Sequence, residues 1–338
     1  MKELSKVCVL GAGSWGTGLA IVAAGRAKNV CLWDIDRDVL SGIAERHENS
    51  RYLPGVPLDF KLGSSADIGE ALAGAEAIIV ALPTVVIERV LAPVKDAIAL
   101  ETPVISASKG LSEADLKFPS QIIRDSLGRQ DRGAIFALSG PSFAKESARG
   151  MPTAVAFAGE TIAAAQTWAE LFHSPKFRTY PSDDLAGVET AGAFKNVIAI
   201  AAGAVDGLGF GDNARAAIIT RGSAEIARAG VHFGANPLTF QGLAGMGDLI
   251  LTCTSKQSRN CRLGFLMAQG KSLEESVKEI GETAEGMYTA KAAHKLSLEQ
   301  GVELPISNEV YAALYEGKPP REVAETLMAR PMRLDVEY

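Results

Sequence analysis

Lys6-Val7-Cys8-Val9-Leu10-Gly11-Ala12-Gly13-Ser14-Trp15-Gly16-Thr17-Gly18-Leu19-Ala20 is the stretch on which the reading of this chain turns. Lys6 to Leu10 reads as a short buried strand. Gly11, Gly13 and Gly16 complete a G-x-G-x-x-G, and Trp15 to Gly25 can form a helix with Leu19, Ala20, Val22 and Ala23 turned inward. Glycine fills 34 of 338 positions, so the motif alone is a weak signal. Its surroundings decide. Asn29 to Trp33 reads as a second strand ending at Asp34, and that carboxylate falls about 20 residues beyond the glycines, where a dinucleotide fold holds the adenosine ribose. Gly11 permits the tight turn, Gly13 lets a pyrophosphate approach the backbone, and Gly16 lets helix and strand pack closely. The helix N-terminus offers free N–H groups and the positive end of its dipole to phosphates.

Downstream, strand signals recur at Ala77 to Leu82, Val104 to Ala107, Ile135 to Leu138 and Ala154 to Phe157, with Phe177 to Tyr180 as an edge. Helical patterns lie between most of them, at Val85 to Leu100, Pro119 to Leu127 and Thr161 to Leu171. Arg37 to Glu48 and Ala66 to Ala73 also read as helical, and 51–57 as a loop. Apolar strands alternating with helices predict a parallel sheet covered on both faces. In such a sheet the carboxyl ends of the strands share one crevice. Here they carry Gly11 to Gly16, Asp34, Pro83-Thr84, Ser108-Lys109-Gly110 and Ser139-Gly140-Pro141-Ser142. Beyond Pro181 strand signals vanish and helices run on: Asp183 to Gly207, Asp212 to Ala229, Pro237 to Leu243, Cys261 to Gln269, Ser272 to Ile280, Glu285 to Gln300 and Pro305 to Tyr315. The expectation is an α/β, Rossmann-type doubly wound domain over 1–182 and an all-α domain over 183–338.

Composition narrows the function. A net charge of -6 gives no basic field for nucleic acid, though a local cluster of cations is enough for a small anion. Cys8, Cys31, Cys253 and Cys261 lack metal-ligand spacing and read as reduced thiols. His47, His173, His232 and His294 are scattered, so no metal site is expected. The N-terminus fails as a signal peptide. The longest apolar stretch, Ala191 to Val205, is interrupted by Lys195 and Asn196 and falls short of a membrane span. A soluble, cytoplasmic protein without an integral membrane segment is expected.

Three places invite chemistry. Lys109 sits directly before Gly at a strand end, where a solvated loop lysine is the ordinary reading. Lys195 and Asn196 interrupt a helix that is apolar nearly all round. Burying an ammonium there costs on the order of 3 to 5 kcal/mol unless it meets a partner or a wet cleft. Desolvation would also lower its pKa, which suits proton transfer; alternatively the lysine snorkels to the surface. Third, Gly242-Leu243-Ala244-Gly245-Met246-Gly247-Asp248 leads into a helix with Thr252 one turn on, followed by Ser258-Arg259-Asn260. Asp248 could cap that helix. Arg259 and Asn260 could grip a phosphate or form a solvated turn.

Together these residues resemble the NAD(P)-dependent glycerol-3-phosphate dehydrogenases of the bacterial type, over essentially the whole chain. The resemblance rests on Gly11-x-Gly13-Ser14-Trp15-Gly16, Ser108-Lys109-Gly110, Ser139-Gly140-Pro141-Ser142-Phe143-Ala144, Glu189 to Asn196, Gly245-x-Gly247-Asp248-Leu249-x-x-Thr252-Cys253, Ser258-Arg259-Asn260 and Glu285-Gly286. It implies a C-terminal domain of the 6-phosphogluconate dehydrogenase type and reduction of dihydroxyacetone phosphate for glycerophospholipid synthesis. Lys195 would be the general acid, with Lys109, Asn196, Asp248 and Thr252 orienting the substrate. Arg259 and Asn260 would hold its phosphate near Gly140, Ser142 and Ser258. Gly11, Gly13, Ser14, Trp15, Gly16, Asp34, Lys109, Ala144, Arg259 and Glu285 would line the dinucleotide. A homodimer is implied too.

Two departures stand out. Glu282-Thr283-Ala284 precedes Glu285, where the family usually carries a pair of branched apolar residues. Asp34 follows Trp33, where many relatives carry a small or basic residue. Asp34 predicts a preference for NADH over NADPH. Arg37 could offset it, but Asp36 and Asp38 flank Arg37 as competing partners. Two rivals are a β-hydroxyacid or 6-phosphogluconate type of dehydrogenase, against which the Gly-Asp-Leu and Ser-Arg-Asn groups argue, and a non-catalytic dinucleotide sensor, which needs no Lys195.

Overall fold

The computed structural model describes residues 2–129 and 134–331. The chain opens β1 (Leu4–Leu10), α1 (Ser14–Ala23), β2 (Ala27–Trp33), α2 (Arg37–Arg46), β3 (Leu62–Ser65), α3 (Ile68–Leu72) and β4 (Ala77–Val80). It continues α4 (Ile87–Leu91), β5 (Val104–Ser106), α5 (Pro119–Ser126), β6 (Ile135–Ser139), α6 (Ala144–Ala148), β7 (Thr153–Ala158), α7 (Ile162–Ala169) and β8 (Phe177–Ser182). These strands form one sheet in the order β3-β2-β1-β4-β5-β6-β7-β8. The central strands are rich in Val, Ile and Leu and buried on both faces, as a parallel sheet sandwiched by helices requires. The chain leaves β1 toward β2 on one side and later returns to β4 on the other. This reversal opens a crevice above the carboxyl ends of β1 and β4.

The expectation of a wholly parallel sheet is corrected at one place: β7 runs antiparallel to β6. The reason is α6, a helix of five residues that docks against α1 and does not run back along the sheet. Without a full crossover the chain can only turn round. Two smaller corrections have local causes. The helix expected over Val85 to Leu100 is a 3₁₀ turn, then α4, then a second 3₁₀ turn over Ala92–Ala97, because Pro93 removes a helical N–H donor. Strand β3 (Leu-Gly-Ser-Ser) gives no strand signal in the sequence: it is a half-polar edge strand that pairs, among the described residues, with β2 alone.

Helices follow: α8 (Leu185–Gly207), α9 (Gly211–His232), α10 (Asp248–Thr254), α11 (Arg259–Ala268), α12 (Leu273–Ile280), α13 (Gly286–Gln300), α14 (Pro305–Tyr315) and α15 (Pro320–Met328). Pro237–Gln241 is 3₁₀ where an α-helix was expected, and α15, polar along most of its length, was not anticipated. Helix α8 is the post around which α9, α10, α11, α13 and α14 pack. By length and composition α8 could cross a membrane, yet 94% of its most apolar window is buried inside the protein. Its closest neighbour is α11. A Cβ on Gly264 would stand 1.9 Å from the Ile200 carbonyl oxygen, so the two backbones meet at a distance only glycine allows. That crossing carries the start of α11 toward the middle of α8, and with it Arg259 and Asn260 toward Asn196. The four cysteines are free thiols, with Cys8 and Cys31 cross-strand partners in β1 and β2.

Candidate active site

The glycine turn has the geometry that its sequence predicts. Gly11 adopts φ 105°, and a Cβ on Gly16 would lie 1.9 Å from the Gly11 carbonyl oxygen. A Cβ on Gly13 would meet no atom of the described residues beyond its chain neighbours within 4 Å, so that side of the turn is open toward the crevice. Among the described residues no side chain caps the N-terminus of α1, which leaves its first N–H groups available to an anion. Asp34 accepts from the Ala12 N–H at 2.6 Å and from the Asp36 N–H at 3.1 Å, so its carboxylate is pinned beside the turn. Asp36 does not wait for Arg37: its side chain caps α2 and pairs with Arg51. Asn49, which the sequence reading passed over, is fully buried and ties the turn to the 49–57 loop. Its amide donates to Ala12 O and Thr17 Oγ1, both at 2.8 Å, and accepts from the Tyr52 N–H at 3.1 Å. Nothing in its local sequence announces that role.

Further along the crevice, Glu285 lies just before α13 with its carboxyl buried. Burial pushes its pKa up to about 7, against the Arg259 charge and backbone hydrogen bonds from Thr84 and Lys109. Glu285 Oε2, Trp15 Nε1 and Thr84 Oγ1 are buried without hydrogen-bond partners among the described residues. Orphaned polar atoms beside an open glycine turn and an uncapped helix fit a dinucleotide with polar groups of its own to offer. Ala144 opens α6, its carbonyl oxygen 3.5 Å from where a Cβ on Gly18 would stand.

Where the sheet meets the helical layer, two lysines share one carboxylate. Lys195, 6% exposed in the middle of α8, donates from Nζ to Asp248 Oδ1 at 2.6 Å and to Thr252 Oγ1 at 2.8 Å. Lys109, from the loop after β5, donates to Asp248 Oδ2 at 2.7 Å and reaches the Gly140 carbonyl at 3.5 Å. Asp248 is not the cap that a glycine-to-helix junction suggests. A single π turn over Leu243–Gly247 precedes α10, Gly247 holds the cap position, and the carboxylate is turned to the lysines. Burial lowers Lys195 to about 8; Asp248 opposes that shift and Lys109 reinforces it. For Asp248 burial favours the neutral acid, but the two ammonium charges outweigh it and hold the carboxyl below its ordinary value. Two cations on one carboxylate leave the cluster with a net positive charge. That is the polarity an oxygen gaining negative charge requires.

The remaining residues join this cluster to α11. Asn260 Nδ2 donates to Asn196 Oδ1 at 2.9 Å, and its Oδ1 accepts from the Gly286 N–H at 2.9 Å, knotting α8, α11 and α13. Ser258 caps α11 through the Cys261 N–H at 3.2 Å, and Ser142 Oγ donates to the Gly140 carbonyl at 2.9 Å. Arg259 faces solvent at the cleft, with Nη1 3.2 Å from Glu282 Oε2.

Two-domain dehydrogenases that bind a nicotinamide dinucleotide are the class this pairing of sheet and helical layer defines. The family follows from comparison. Residues 6–165 match the N-terminal model of NAD-dependent glycerol-3-phosphate dehydrogenase, and residues 184–325 match its C-terminal model. A glycerol-3-phosphate dehydrogenase [NAD(P)+] of Bacillus pumilus is 46% identical over 334 residues, 99% of this chain and 97% of the relative. Among solved structures, glycerol-3-phosphate dehydrogenase from Coxiella burnetii is 36% identical with a TM-score of 0.92, covering 97% of this chain and 99% of that one. The Saccharomyces cerevisiae enzyme is 30% identical with a TM-score of 0.82, over 96% and 99%. The chain belongs to the NAD-dependent glycerol-3-phosphate dehydrogenase family.

Proposed function

We propose that this protein reduces dihydroxyacetone phosphate reversibly to sn-glycerol 3-phosphate, feeding glycerophospholipid synthesis in the cytoplasm, and that Lys195 is its general acid and base. The observation that carries this reading is the buried Lys195 Nζ, 2.6 Å from Asp248 and 2.8 Å from Thr252, with burial drawing its pKa to about 8. A group poised near neutrality gives up and regains a proton at little cost. When bound, the nicotinamide supplies the hydride. Lys195 protonates the oxygen that becomes the alcohol, Lys109 polarises the same carbonyl, and Asp248 holds both ammonium groups in place. Thr252 and Asn196 orient the substrate.

Arg259 and Asn260 at the start of α11 hold the phosphate, with Gly140, Ser142 and Ser258 alongside. Residues 1–182 bind the dinucleotide and 183–338 supply the acid and the phosphate site. Gly11, Gly13, Ser14, Trp15, Gly16, Asp34, Ala144 and Glu285 line the dinucleotide, Lys109 and Arg259 reaching it from the substrate side. NADH is preferred, because Asp34 is pinned by two backbone N–H groups and cannot swing away from a 2′-phosphate. The working form is a homodimer.

Purified protein mixed with NADH and dihydroxyacetone phosphate should lose nicotinamide absorbance with saturation kinetics. Turnover with a β-hydroxyacid couple in its place, or dinucleotide binding with no turnover, would overturn the reading.

A further inference from the structure

Glu282 lies in the strap between α12 and α13 and has no part in the reaction as derived. Its carboxylate nevertheless reaches both sides of the cleft. Oε2 accepts from Arg259 Nη1 at 3.2 Å and lies 3.4 Å from Ser14 Oγ, whose single proton it shares with the Tyr52 carbonyl at 3.2 Å. Arg259 begins α11 and Ser14 begins α1. One carboxylate oxygen therefore touches the guanidinium proposed to hold the substrate phosphate and the first residue of the helix proposed to face the dinucleotide pyrophosphate.

The contact is weak enough to be given up. The Glu282 and Arg259 side chains are 36% and 45% exposed, so water and salt screen their attraction. It is also single, whereas a phosphate can engage a guanidinium through two parallel hydrogen bonds. A phosphate arriving at Arg259 meets Glu282 twice over, as a rival acceptor and as a like charge.

We propose that Glu282 competes with the substrate phosphate and the dinucleotide pyrophosphate for Arg259 and Ser14, and so sets the affinity for both ligands without touching the reacting atoms. The proposal rests on the reading of Arg259 as the phosphate-binding residue. It gives the strap a chemical consequence: an acid that pairs with Arg259 weakens binding.

Glu282→Gln keeps the shape and the hydrogen bonding but removes the charge. The KM for dihydroxyacetone phosphate and the inhibition constant of inorganic phosphate should each fall about fivefold, with turnover at saturation within about twofold of wild type. The Kd for NADH should fall in the same direction. Glu282→Ala should act alike, which guards against a peculiarity of one variant. In an Arg259→Ala background the effect of Glu282→Gln on the substrate KM should vanish. A KM unchanged or raised by Glu282→Gln, while Arg259→Ala shows its phosphate-specific penalty, would overturn the competition and make Glu282 a brace for Arg259. An equal penalty of Arg259→Ala on phosphorylated and unphosphorylated ketones would remove the phosphate reading itself, and the competition with it.

Discussion

Lys195 Nζ and Asp248 Oδ1 lie 2.6 Å apart inside the protein, and the second oxygen of that carboxylate holds Lys109. A buried ammonium with one shared counter-charge is easier to deprotonate than a free lysine, and here burial brings it to about 8.

The pH dependence follows from that value. With Lys195 as the proposed acid, reduction of the ketone needs it charged, so kcat/KM for dihydroxyacetone phosphate should fall as pH rises through about 8. Oxidation of glycerol 3-phosphate needs it neutral, so kcat/KM in that direction should rise through the same region. The substrate phosphate ionises lower, at about pH 6, and leaves this limb clear. Profiles of both directions, measured in one buffer series, check the point; limbs of the same sign would remove Lys195 from proton transfer.

Arg259→Ala should lower catalytic efficiency toward dihydroxyacetone phosphate by roughly 2 to 4 kcal/mol. Toward unphosphorylated dihydroxyacetone, a poor substrate at the outset, it should change little. Steady-state kinetics with the two ketones separates a phosphate contact from a structural part.

Asp34 sets the third expectation. A 2′-phosphate about 4 Å from a fixed carboxylate costs about 1 kcal/mol in water and up to ~4 where partly shielded. Catalytic efficiency should therefore favour NADH by roughly tenfold to a thousandfold, and the margin should shrink in Asp34→Ala. Asp36 caps α2 and pairs with Arg51, so it does not occupy Arg37 as the sequence reading supposed. The comparison should accordingly include Arg37→Ala, expected to widen the margin if Arg37 assists NADPH. Equal use of both cofactors by the unmodified protein would contradict the role of Asp34.

A fourth expectation concerns stability. Glu189 of α8 is buried and accepts from the Ser120 N–H at 2.8 Å and from the Ser120 hydroxyl, tying α8 to α5. Burial pushes its pKa up to about 7 from 4.5. As pH rises past 4.5 the unfolded chain loses this proton while the folded protein keeps it until about 7. The unfolded state thus binds fewer protons in that window, and stability falls with rising pH, by about 3 kcal/mol in total from this group. Glu225 and Glu285 are shifted the same way. Denaturant unfolding of Glu189→Gln between pH 4.5 and 7 should show a shallower decline than wild type, and an unchanged slope would mean that Glu189 is ionised in the folded protein.

What could be read in advance was local. The turn at Gly11 to Gly16 and the acid at Asp34 lie on adjacent strands and obey short-range rules, so spacing alone placed them. The anomaly of Lys195 was legible because a charge in an apolar helix is conspicuous. Its partner was not, because Asp248 lies 53 positions away and its junction looks like an ordinary helix cap. Only the resemblance to a family joined the two. The reversal at β7 was hidden for a similar reason: it depends on α6 docking against α1, a contact no strand pattern encodes. Glu282 carries no signal in its local sequence, and only the fold places it between Arg259 and Ser14.

The account stands most directly on Lys195→Met, which keeps the length and apolar stem of the side chain while removing the acid. Turnover at saturating NADH and dihydroxyacetone phosphate should fall by at least about a hundredfold, the lower range of what general acid catalysis supplies, with dinucleotide affinity little changed. Retention of a third or more of wild-type turnover would contradict the assignment of Lys195 as the acid.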